Sequence, residues 1–193
     1  MSTYIGPNAQ VSGSARVSGS ARVSESVRVS GSARVSESAW VSGLAWVFGS
    51  ARVFGSAQVS ESARVSGSAW VSGLAQVFGS ARVFGSAQVF GSARVSGSAQ
   101  VSESARVDGH MIVNDDHPLS HGFLLGFSWT CAFDKEVDAF VLRFGCERHR
   151  LENWPHDDCA RKHEPDEQDF YSASTRALAT MLLATMRVTA GAK

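Results

Sequence analysis

From Ile5 to Val113 every sixth residue is a β-branched aliphatic, and this unbroken period of six constrains the fold more than any other property of the chain. The span holds 18 hexads with no insertion, and its consensus reads V-S-G-S-A-R, as in Val11-Ser12-Gly13-Ser14-Ala15-Arg16. Such regularity predicts a solenoid, in which each unit packs only on its neighbours.

The hexad has a physical reading. Ala-Arg-Val-Ser alternates small apolar, polar, apolar and polar, the period-two signature of a strand with one buried face. Gly-Ser or Glu-Ser follows as a two-residue corner, where glycine supplies an unusual backbone conformation. Four residues of side and two of corner close most simply as a triangle. Three hexads then make an 18-residue coil, and six coils stacked at strand spacing give a rod roughly 29 Å long. Alanine at the first inward position keeps the interior narrow, and valine at the second fills it. After Ala9, only Val27 and Met111 replace that alanine.

This pattern resembles the hexapeptide repeat of left-handed parallel β-helix proteins, and the resemblance covers residues 5–113. The left hand is implied by the resemblance, since parallel crossovers in general favour the right. The family includes trimeric acyltransferases and γ-class carbonic anhydrases. Its acyltransferases use a histidine base, commonly with a loop extruded from the coils, and its carbonic anhydrases hold zinc with three histidines. Here no loop interrupts the coils and no histidine occurs before His110. Of the corner glutamates Glu25, Glu37, Glu61 and Glu103, none has another carboxylate 18 residues away, so the coils carry no paired-acid site. Ordered Thr-x-Thr rows, the signature of ice binding on this fold, are missing as well. No cofactor is expected.

The chain of 193 residues has a formal net charge of zero that hides an asymmetry. The repeat carries nine Arg against five acids, and residues 114–193 carry nine basic against thirteen acidic side chains. The three cysteines all lie beyond the repeat, and no leader or spanning segment is evident, which leads us to expect reduced thiols in a cytoplasm. No membrane partner is expected.

Stepping by 18 residues along the position before each valine yields three outward rows. They read Gln10-Arg28-Trp46-Arg64-Arg82-Gln100, then Arg16-Arg34-Arg52-Trp70-Gln88-Arg106, then Arg22-Trp40-Gln58-Gln76-Arg94. Every Trp has an Arg neighbour in its row, a spacing suited to guanidinium–indole stacking. The plain reading is a self-stacked, solvated surface. A sharper one is an anion stripe along Arg16, Arg34 and Arg52; interleaved serines and modest charge argue against a dedicated nucleic-acid binder. Trp40, Leu44, Trp46, Phe48, Phe54, Trp70, Leu74, Phe78, Phe84 and Phe90 all occupy outward or corner positions of the middle coils. That apolar belt predicts a contact surface, most simply a closed homotrimer. Trp40-Val41-Ser42-Gly43-Leu44 recurs at Trp70–Leu74, an offset of five hexads that moves the segment to another face. A face-specific ligand row would not tolerate that shift, so a scaffold is favoured.

Residues 114–193 read as a small α+β domain that caps the last coil or mediates assembly. Strands are expected over 123–127 and 129–133, with a turn at Asp134-Lys135-Glu136 leading into 137–144. Pro155 starts a short helix, and a longer one is expected over 166–188 with Phe170, Ala177, Leu178, Met181 and Leu182 on its apolar face. The phrase Gly145-Cys146-Glu147-Arg148-His149, with Trp154, resembles small C-terminal domains of uncharacterised bacterial and phage proteins. Cys146, His149, His156 and Cys159 are candidate zinc ligands, although a buried cysteine among surface histidines accounts for them more simply. Cys146 with His149 is a candidate nucleophile and base without an identifiable third group. His110, His117 and His121 read as ordinary junction polarity. The expected function is a non-catalytic structural or interaction protein, a β-helical homotrimeric scaffold whose tail caps it or binds a protein partner. The alternatives are an enzyme of acyltransferase or thiol/zinc type, with its site at a subunit interface or in the tail, and an anion or nucleic-acid binder using the arginine rows.

Overall fold

In the computed structural model the described residues are 2–115, 119–124, 127–144, 147–150 and 181–182. Two-residue strands recur at intervals of six from β1 (Tyr4–Ile5) to β18 (Arg106–Val107), each formed by an outward residue and the aliphatic that follows it. The expected four-residue side is present in the hydrogen bonding. Arg22 N–H donates to the Ala39 carbonyl at 2.9 Å and Ser24 N–H to the Val41 carbonyl at 3.0 Å, so Ala and Ser flank each strand as part of the ladder.

Each strand from β1 to β16 pairs in parallel with the strand 18 residues on, as in Val23↔Val41 and Val41↔Val59. Three hexads therefore close one coil, and the strands sort into three sheets. One runs from β1 through every third strand to β19 (Met111–Val113); the second runs from β2 (Gln10–Val11) to β17 (Gln100–Val101); the third runs from β3 (Arg16–Val17) to β18. Alternation then puts Ala and Val inside. From Ala21 to Val95 every residue of those two inward columns is 0 % exposed, including Val27 at its alanine position, and Met111 at the far end is 0 % exposed too. Each valine so buried is worth roughly 1.5–3 kcal/mol over leaving it in water.

The corners need a left-handed backbone. Glycines at the first corner position have φ from 60° to 73°, and the four glutamates that stand there instead have φ of 55–61°. L-residues in that region cost about 1–2 kcal/mol each. One of them is compensated locally, for the Glu37 carboxylate accepts a 2.9 Å hydrogen bond from Gly55 N–H in the next coil.

At the C-terminal end of the rod the first sheet does not stop at an open edge. Strand β19 pairs antiparallel with β21 (Phe127–Asp134), which is flanked by β20 (Ser120–Leu124) and by β22 (Ala139–Phe144), and β22 pairs in turn with β23 (Glu147–Arg150). Two backbone donors of the last coil are met by side chains rather than by a further coil. Arg106 N–H donates to the Thr130 hydroxyl at 3.2 Å, and Ser98 N–H to an Asp115 carboxylate oxygen at 2.9 Å. Between β21 and β22 the turn spans 135–138, one to two residues later than expected, because Asp134 still pairs with Ala139 and Asp138 takes the left-handed φ of 50°. The strand expected over 123–127 is replaced by the end of β20 and the start of β21. The helix start at Pro155 and most of the helix over 166–188 lie outside the described residues. Within that span Met181 and Leu182 are helical; Leu182 is buried and Met181 is 55 % exposed.

Candidate interaction surface

The three outward rows stand as the 18-residue step places them. On the second sheet Trp46 is in register with Arg28 on one side and Arg64 on the other, and their guanidinium carbons lie 4.9 and 5.2 Å from its ring centre. The indole is thus held between two cations that its negative π-face attracts. On the third sheet Arg52 sits 5.1 Å over Trp70, and Arg106 sits 5.0 Å over Phe90. Arg16, Arg34 and Arg52 occupy consecutive rungs of that same sheet and are all exposed. Their backbone rungs stand at strand spacing of about 4.8 Å, and like charges on adjacent rungs raise the local positive potential.

The apolar belt divides into two grades of exposure. Leu44 and Leu74 are 61 % and 63 % exposed at corners, and Trp40, Trp46, Phe48 and Trp70 are exposed on the faces. Phe54, Phe78, Phe84 and Phe90 are half-buried, shielded by neighbouring rungs. Phe54 meets Trp70 edge to face at 6.0 Å, and Trp46 meets Phe48 in the same way at 6.5 Å. The exposed set covers all three faces: Trp40 on the first, Trp46 and Phe48 on the second, Trp70 on the third. Shallow clefts border the Arg–Trp ladder of the second sheet. One is lined by Arg28, Leu44, Trp46 and Arg64, the other by Phe48, Arg64, Arg82 and Phe84, so Arg64 belongs to both.

Of the candidate zinc ligands, Cys146, His156 and Cys159 lie outside the described residues, and His149 is described only as the β23 backbone position opposite Leu142. A different set of ligand-bearing residues comes together at the junction. His110 Nδ1 lies 2.6 Å from Glu136 Oε2, Glu136 N–H donates to Asp134 Oδ1 at 2.9 Å, and the potential ligand atoms of His110, Asp134 and Glu136 lie within 4.8 Å of one another. No spacing along the chain signals this group, because the antiparallel pairing of β19 with β21 assembles it. Cys131, by contrast, is a buried free thiol whose pKa is raised by burial from 9.0 to about 12, which holds it in the unreactive protonated form.

The repeats match the model of the YdcK beta solenoid repeat at residues 9–25, 57–73 and 87–103. Among solved structures the chain is similar to a mutant perosamine N-acetyltransferase from Caulobacter crescentus in complex with CoA and GDP-perosamine. That match has a TM-score of 0.51 at 18 % identity and covers 57 % of this chain and 53 % of that one. The structure of PerB from Caulobacter crescentus, with the same two ligands, gives a TM-score of 0.50 at 18 % identity over 57 % of this chain and 54 % of that one. This chain therefore spans about half the length of the solved proteins it matches. No match is found among curated protein sequences. Six coils of 18 residues, the matched solenoid repeat and these likenesses together make residues 5–113 a hexapeptide-repeat left-handed parallel β-helix.

Proposed function

We propose that this chain is a non-catalytic structural or interaction protein, a homotrimeric β-helical scaffold whose apolar belt makes its contacts and whose tail caps the rod or engages a protein partner. The observation that carries this reading is the belt itself. Six large apolar side chains, Trp40, Leu44, Trp46, Phe48, Trp70 and Leu74, stand 36–63 % exposed on consecutive middle coils of a rigid rod. Surfaces of that kind on soluble proteins mark contact sites. The likeness to an N-acetyltransferase extends to fold, and the coils offer no histidine before His110, so the catalytic alternative draws no support from them.

Light-scattering mass of the full chain tests the proposal. The expected value is three times the 20.5 kDa chain mass, falling towards a single chain in the double variant Leu44→Ser/Trp46→Ser with its far-ultraviolet spectrum unchanged. A monomer at all concentrations, with no partner captured through the belt, would overturn it. The in-register arginines Arg16, Arg34 and Arg52 favour a second reading, binding of an acidic polymer. That reading requires affinity for a sulfated polysaccharide that falls steeply with salt and with Arg34→Ala.

A further inference from the structure

We propose that His110, Asp134 and Glu136 form a site for a divalent transition-metal ion that pins the tail hairpin to the last coil. The three residues come from separate parts of the junction. His110 occupies the second corner position just before β19, Asp134 ends β21 opposite Met111, and Glu136 lies in the turn that follows. Strand register therefore holds two of the three backbone positions, and Lys135 N–H tethers the turn by donating to the His110 carbonyl at 3.4 Å.

Their donors suit one ion. An imidazole nitrogen and two carboxylates lie within 4.8 Å of one another, so a small rotation of the exposed Glu136 side chain brings all three donors onto a single ion with bonds of about 2.0–2.2 Å. Asp134 is fully buried, His110 is half-exposed and Glu136 is exposed, so the site is anchored on one side and open to water on the other. The 2.6 Å contact of His110 Nδ1 with Glu136 requires a proton between the two atoms. A divalent ion bound at Nδ1 takes the place of that proton, which the neutral imidazole carries on Nε2 instead, and sets positive charge beside both carboxylates. The imidazole makes the set softer than the all-oxygen cages that magnesium and calcium prefer, so zinc should bind ahead of manganese, and both ahead of magnesium.

The test uses the full chain, stripped with a chelator and titrated calorimetrically with zinc, manganese and magnesium, with cobalt(II) as an absorbing probe. We expect one zinc per chain, little or no heat with magnesium, and a cobalt spectrum without an intense thiolate charge-transfer band. His110→Ala and Glu136→Gln should each weaken zinc binding by roughly ten-fold or more, while Cys146→Ser/Cys159→Ser leaves it unchanged. Absence of saturable zinc binding overturns the proposal. So do retention of full affinity in both His110→Ala and Glu136→Gln, and a thiolate band that disappears in the cysteine variant, which would put the metal in the tail instead.

Discussion

At corner position 37 a glutamate stands where most coils use glycine, and its replacement separates two opposing terms. Glu37 has φ of 61°, a conformation costing an L-residue about 1–2 kcal/mol. Against that, its carboxylate accepts from Gly55 N–H at 2.9 Å, a solvent-accessible hydrogen bond worth about 0.5–1.5 kcal/mol net. Glu37→Ala keeps the strain and loses the bond, so it should destabilise by about 0.5–1.5 kcal/mol. Glu37→Gly also loses the bond but relieves the strain, at an unfolded-state entropy cost of about 0.4–1 kcal/mol. The glycine variant should therefore be more stable than the alanine variant by up to about 1.6 kcal/mol, the reverse of their order in a helix. Urea midpoints of the two variants, compared at equal m-value, read this difference directly. If alanine equals or exceeds glycine, the corner is not under the strain its φ implies and the reasoning fails.

Three further outcomes are expected. Cys131 should resist thiol reagents in the folded chain and react once urea unfolds it, as measured by stopped-flow labelling. Because its pKa rises from 9.0 unfolded to about 12 folded, the folded state retains a proton that the unfolded state loses. Its contribution to stability is therefore complete below pH 9 and is lost as pH climbs towards 12, seen as a falling melting temperature over that window. Thr130→Val, similar in volume, removes the acceptor of the Arg106 N–H. It should cost about 1–3 kcal/mol and speed amide exchange at Arg106 ahead of the middle coils. Val65→Ala, at a fully buried central position, should cost about 2–3 kcal/mol through lost burial and the cavity left behind, with a larger loss of melting temperature than Val17→Ala near the N-terminal end, where the valine is already half-exposed.

The coils were legible because each hexad repeats one local solution. An inward Ala and Val, an outward polar residue and a corner recur at fixed spacing, so the period alone implies that residue i meets residue i+18. Arg28, Trp46 and Arg64 could be put in one row from counting. The grading of the belt could not, since whether Phe54 is half-buried and Leu44 exposed depends on the size of side chains one coil away. The junction was less legible still. His110 lies 24 residues from Asp134, and their meeting depends on β21 turning back antiparallel onto β19, a long-range choice with no periodic signature. The hairpin is readable from its alternation, but the alternation starts its turn one residue early, because Asp134 resembles a turn residue while serving as the last rung of the strand.

The five-hexad repeat of the Trp–Leu segment bears on how the rod is used. Trp40 lies on the first sheet and Trp70 on the third, although their local sequences are nearly the same. The inward columns are indifferent to that move, for Ala39, Val41, Ala69 and Val71 are all 0 % exposed. The backbone therefore accepts the same hexads on any face, and the core places no restraint on where the aromatics fall. A ligand row must keep its chemistry on one face, and shifting a segment by five hexads would break it. A surface that meets several neighbours around the rod has no such requirement, because apolar area gained on any side can be covered by another copy or partner. The position of Trp40 and Trp70 on different faces thus counts against a single binding stripe and in favour of contacts made around the circumference of the coil.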